Sequence, residues 1–101
     1  MGSVSVTDVE VTDTETVIID STLVDADKDK TFVVSNGDNA IEAKAYSSAN
    51  GTDWSLKDTK TIGSNESGTL KVMSNMYIYV KLTGRCLSSG RTSKVDATLD
   101  W

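Results

Sequence analysis

Apolar and polar residues alternate with a period of two along most of the chain, and no run sustains apolar residues at i, i+3, i+4 and i+7. Alternation of this kind describes half-buried strands rather than amphipathic helices. Val4 and Val6 alternate with Ser3, Ser5 and Thr7, and Val9 and Val11 continue in the opposite phase. A one-residue phase shift turns side chains to the other face, so a bulge or break is expected near Asp8. Residues 15–24 form a second apolar stretch, split near Asp20 and Ser21. Residues 25–30 read as a charged loop, and 31–35 as a strand closed by the turn signal Asn36, Gly37, Asp38, Asn39.

The pattern predicts a strand over 40–48, with Ile41, Ala43 and Ala45 on one face and Glu42, Lys44 and Tyr46 on the other. A turn built on Asn50 and Gly51 sends residues 54–62 back antiparallel. A polar turn over 63–68 and a short strand over 69–73 follow. The cleanest alternation is 76–83, where Met76, Ile78, Val80 and Leu82 oppose Tyr77, Tyr79, Lys81 and Thr83. Residues 84–93 read as a loop carrying both arginines, and 94–101 as a last strand with Val95, Ala97, Leu99 and Trp101 on one face. Seven to nine short strands with turn signals between them, and no helical crossovers, predict an all-β, antiparallel two-sheet β-sandwich or jelly roll. The expected core is Ile41, Ala43, Ala45, Ile78, Val80, Leu82, Val95, Ala97 and Leu99.

Composition agrees: 11 Val, 13 Thr and 13 Ser outnumber Leu and Ala, and β-branched residues suit a pleated surface. A length of 101 residues fits one domain, spanning 1–101. The chain has no proline, no histidine and one cysteine. An internal disulfide, a Cys/His zinc site and the Ser-His-Asp and Cys-His mechanisms are therefore excluded. A formal charge of −5 lacks the basic footprint of a nucleic-acid binder and is unsuited to an anionic membrane surface. The N-terminal segment has no basic region followed by an apolar stretch, so no secretory signal is expected.

Candidate chemistry is sparse. Asp25, Asp27 and Asp29 imitate the first ligands of a calcium loop, but Lys30 stands where glycine is needed and Asn36 where a bidentate glutamate is needed. The expectation is a solvated loop, with a weak calcium site using ligands from elsewhere left open. Cys86 follows Arg85, yet no histidine exists to serve as its base; it is expected as a small buried residue. Asn50 and Asn65 begin N-x-Ser/Thr strings that read as ordinary turns. Paired acids need a deep cleft that short turns rarely form, so neither an enzyme nor a required metal or cofactor is expected. Trp54, Tyr77, Tyr79 and Lys81 are the candidate binding residues, as a sugar-stacking or protein-contact patch. The alternative for the tyrosines is a cross-strand pair covering a sheet face. Trp54 is expected to anchor the hairpin.

The run AYSSANGTDWSLKDT, then GTL, then MYIYVKLTG, resembles the S-x-D-G-x-x-W … Y-x-Y-V-R-L pattern of discoidin-like (factor 5/8 type C) sandwiches. It also resembles short β-sandwich modules of bacteriophage and prophage virion proteins, which share FVVSNGDNA ahead of the hairpin and the single-domain size. Lys81 replaces the arginine, and the cysteine pair of discoidin domains is absent. The resemblance implies the sandwich, not the lipid or glycan specificity.

Together these features lead to an expected structural virion protein, such as a head decoration, fibre or adhesion subunit, released by lysis. It would act by self-association and docking to other virion proteins. The alternative is a carbohydrate-binding or cell-adhesion module contacting surface glycan. An edge of residues 3–7 without charge or proline is poorly defended. Val4, Val6, Val9, Val11 and Trp101 are therefore the expected contacts of a homo-oligomer.

Overall fold

The computed structural model describes residues 2–24, 29–73 and 79–101. It contains eight strands: β1 (Ser3–Val11), β2 (Thr16–Leu23), β3 (Lys30–Ser35), β4 (Ile41–Ser48), β5 (Ser55–Ile62), β6 (Ser67–Val72), β7 (Tyr79–Cys86) and β8 (Ser93–Asp100). They form two four-stranded sheets, β1-β8-β3-β6 and β2-β7-β4-β5, and every neighbouring pair is antiparallel. Every connection crosses from one sheet to the other except the β4–β5 hairpin, which stays within the second sheet; this is the jelly-roll arrangement of two interleaved Greek keys.

The inward residues of both sheets meet in one core. Phe32, Val34, Leu70, Val72, Val95, Ala97 and Leu99 come from the first sheet; Ile18, Ile19, Ile41, Ala43, Ala45, Ile62, Val80 and Leu82 come from the second. Of the expected core, all are buried except Ile78, which lies outside the described residues. The alternation is thus the direct imprint of a sheet with one dry face and one wet face.

The phase inversion in β1 is a bulge. Its register against β8 shifts between Val6 and Val9, and Asp8 takes a positive φ of 53°. The Asp96 carboxylate holds the strained residue by accepting the Asp8 N–H at 2.9 Å. The split in the second stretch is also real, with β2 shifting register twice, between Val17 and Ile19 and between Ile19 and Thr22.

Two boundaries differ from the sequence expectation. Lys30 does not belong to a charged loop. It opens β3 opposite Val72 and is fully buried, because it falls on the inward phase set by Phe32 and Val34. Residues 84–86 are not a loop either. β7 continues through Arg85 to Cys86, since Gly84 leaves the space that Ile18 fills: a Cβ there would stand 2.9 Å from the Ile18 Cδ1. A glycine inside a strand marks close approach here, not a turn.

At one end of the sandwich, the buried Asn36 side chain binds three connections. Its Nδ2 donates to the carbonyls of Asn39, Ile62 and Gly63 at 2.8, 3.1 and 3.0 Å. Its Oδ1 accepts from Gly37 N–H and from Ser93 Oγ, both at 2.8 Å. Replacement Asn36→Ala strands several of these groups away from water, at about 1–3 kcal/mol for each buried group left unpaired. We expect the variant to lose about 3 kcal/mol or more in urea unfolding; an unchanged midpoint would show that water replaces the carboxamide.

Candidate functional site

The chain offers two surfaces of interest: the outer face of the second sheet and the free edges of the strands. The outer face is set by register. Tyr46 of β4 lies opposite Lys81 of β7 and Leu56 of β5, while Ser48 lies opposite Tyr79, and Tyr79 opposite Leu23 of β2. Trp54, just before β5, reaches the same face: Lys81 Nζ sits 4.5 Å from the Trp54 ring centre and 5.3 Å from that of Tyr46. Lysine over aromatic faces is a cation–π contact. Three of the expected binding residues, Trp54, Tyr79 and Lys81, therefore share one face, whereas Tyr77 lies outside the described residues. Tyr46 belongs to this face as well. The sequence placed it with Glu42 and Lys44 but gave no sign that Lys81 would cover it.

The turn that delivers Trp54 is fixed by side chains. Ser48 Oγ accepts the Gly51 N–H at 2.9 Å, and Asn50 Oδ1 accepts those of Thr52 and Asp53 at 2.8 and 2.9 Å. Gly51 takes a φ of 77°, which glycine adopts without a Cβ penalty, and the Tyr79 ring packs against it. Tyr46 donates its hydroxyl to Glu15 at 3.3 Å. Desolvation first, then the Glu15 carboxylate, push the phenol above its ordinary pKa, so Tyr46 is neutral at physiological pH. Beyond it, Glu42 bridges Arg85 and Lys44 at 3.5 and 3.8 Å.

The edges lie at β1 and β6 in one sheet and at β2 and β5 in the other. Three of them carry blocking devices of the kind that protects strand edges. β2 has two register shifts. β5 has a register shift opposite Ala45 and Tyr46 and exposes Lys57 and Lys60. On β6, the Asp58 carboxylate takes the outward Lys71 N–H at 2.9 Å. β1 is different: from Ser3 to Val6 it pairs regularly with β8, without charge, before the bulge begins.

The expected contact residues need correction in one respect. Val11 is wholly buried in the chain's own core, which removes its side chain from any intersubunit surface, and Val4, Val6 and Val9 pack partly against that core. Trp101 is tied to its own chain too. Gly2 and Trp101 exchange both backbone bonds, at 2.8 and 3.0 Å, and the indole lies directly over the Gly2 Cα. What β1 leaves uncovered is its backbone edge, more than its valines.

Cys86 is buried and its Sγ donates to the Val11 carbonyl at 3.4 Å. Of the aspartates considered for calcium, Asp25 and Asp27 lie outside the described residues and Asp29 is exposed. Among the described residues, no three His, Cys, Asp or Glu side chains are grouped to hold a metal ion.

No family model matches the chain, and no curated protein matches it. Solved structures do. The crystal structure of PirA superposes with a TM-score of 0.65 at 12% identity, covering 95% of this chain and 90% of that one. A chain from Bacillus endospore appendages, described as a novel family of disulfide-linked pili, gives 0.55 at 14% identity, covering 97% and 82%. At these identities the likeness is one of fold: both support the β-sandwich.

Two outcomes test this description. Lys81→Ala should lower stability by about 1 kcal/mol, the scale of a partly exposed cation–π contact, and should alter the tryptophan emission; unchanged emission would separate Lys81 from Trp54. Burial, with the Asp13 charge adding to it, raises the Cys86 pKa, so the thiol stays protonated at pH 8. Alkylation at that pH should be at least tenfold slower in the folded chain than in urea, and equal rates would place Cys86 at the surface.

Proposed function

We propose that this protein is a non-enzymatic structural subunit that self-associates through the N-terminal half of β1 on the exterior of a particle or fibre. The observation that supports this reading is the contrast among edges: β2, β5 and β6 are blocked by bulges, lysines or a capping carboxylate, and residues 3–7 are not. An undefended edge is a template for pairing with another chain.

The virion setting, as a head decoration, fibre or adhesion subunit released by lysis, draws on the sequence resemblance to phage modules. The appendage structure, from disulfide-linked pili, suggests a second setting, a fibre. If such a polymer formed here, its contacts would be noncovalent, because the single cysteine is buried. The glycan-binding reading has the aromatic face in its favour, but Lys81 lies across one face of both Tyr46 and Trp54, where a sugar would stack.

Proline at position 5 tests the edge without disturbing the ladder: Gly2 and Trp101 exchange both backbone bonds, so three residues on, at Ser5 opposite Thr98, the N–H points away from β8. Light scattering should give the full chain a mass above 10.8 kDa, and Ser5→Pro should return it to one chain with its melting temperature changed by only a few degrees. A full chain that remains monomeric at high concentration overturns the reading.

A further inference from the structure

The direction of each backbone group in β1 follows from its first pair. Gly2 and Trp101 bond to each other through both N–H and C=O, which makes them a hydrogen-bonded pair. In an antiparallel ladder such pairs alternate with non-bonded ones. Val4, opposite Leu99, and Val6, opposite Ala97, therefore point their backbone groups toward β8. Ser3, opposite Asp100, and Ser5, opposite Thr98, point theirs away, and so does the N–H of Thr7 before the bulge. The 3.4 Å approach of Ser5 Oγ to Thr98 Oγ1 fits this parity, because side chains come closer at non-bonded pairs.

The outward groups thus belong to residues 3, 5 and 7, and their spacing is its own complement. We infer that the partner of this edge is a second copy of β1, antiparallel about a two-fold axis at Ser5, which joins the two first sheets into one. This inference rests on the proposed self-association and specifies its geometry. Ser5 pairs with Ser5 of the second copy, and Ser3 with Thr7. Registers centred on Val4 or Val6 would pair only two of the three outward residues. In the Ser5 register, Val4 of one chain stands beside Val6 of the other on the core side, covering two half-buried valines. The hydroxyls of Ser3, Ser5 and Thr7 line the opposite, exposed face. Asp8, the first charge, meets Gly2, so no like charges oppose each other across the ladder. The bulge at Asp8 then ends the pairing. A contact of this kind is isologous and closes at two chains.

Cross-linking tests it. Directly opposed residues of a hydrogen-bonded pair have Cα atoms about 5.5 Å apart, within disulfide reach. Under mild oxidation the full-length Ser5→Cys variant should form a covalent two-chain species. Ser3→Cys and Thr7→Cys chains should form one only when mixed, at least tenfold more than either alone. The wild-type chain is the control, its Cys86 being buried. Wild-type light scattering separates the two levels. A two-chain mass with cross-linking at Ser5 and in the Ser3–Thr7 mixture supports the two-fold pairing. An associated protein that does not cross-link at Ser5 overturns this pairing while self-association stands. A monomeric full-length protein overturns both.

Discussion

One carboxamide stands at the centre of the hydrogen bonds that tie three connections together at one end of the sandwich. Asn36 lies between the β3–β4 turn, the β5–β6 turn and the start of β8, and its five hydrogen bonds reach residues up to 57 positions away. Around it, Asn36 N–H bonds to Glu66, Asn65 N–H to Gly37, Ser64 Oγ to the Asp38 carbonyl and Asn39 Nδ2 to Thr92. The chain has no proline to stiffen its turns, so this polar cluster does that work. It lies where β3 and β5 end and where β8 begins.

The fold was legible because the core is made by alternation. Ile41, Ala43 and Ala45, or Val95, Ala97 and Leu99, announce a buried face within a few residues, and the inversion between Val6 and Val9 announces a bulge. Features that depend on distant partners were hidden. Asn36 looked like punctuation because its acceptors belong to other turns. Lys30 looked solvated because its neighbours in sequence are charged, although its phase belongs with Phe32. Gly84 looked like a turn until Ile18, from another strand, was placed over it. In the candidate sites, the lack of charge in residues 3–7 was visible in the sequence, and so was the aromatic character of Trp54 and Tyr79. Nothing local could show that β1 ends at a sheet edge, or that Lys81 spans Tyr46 and Trp54, because register decides both.

The four edges of the two sheets differ in how far they are blocked. Register shifts interrupt β2 and β5, and the Asp58 carboxylate, from the neighbouring sheet, accepts the Lys71 N–H of β6. The same device, a carboxylate on a backbone N–H, steadies Asp8 at the bulge of β1. In β1, though, that bond is made with the paired strand β8 and not on the free edge; what interrupts the strand is the bulge, which follows a short regular ladder.

The pairing of β1 with β8 has a kinetic side. β1 has β8 as its one sheet neighbour, so it pairs only when β8 is available, whereas β3 also has β6. Loops closed over most of a chain carry a large entropic cost before their contacts repay it, and folds of this kind form slowly. During synthesis the β1 segment emerges before the other described strands and lacks its partner until β8 follows. Ser3, Ser5 and Thr7 alternate with Val4 and Val6, so the segment that waits longest for its partner is not a continuous apolar run of the kind that aggregates.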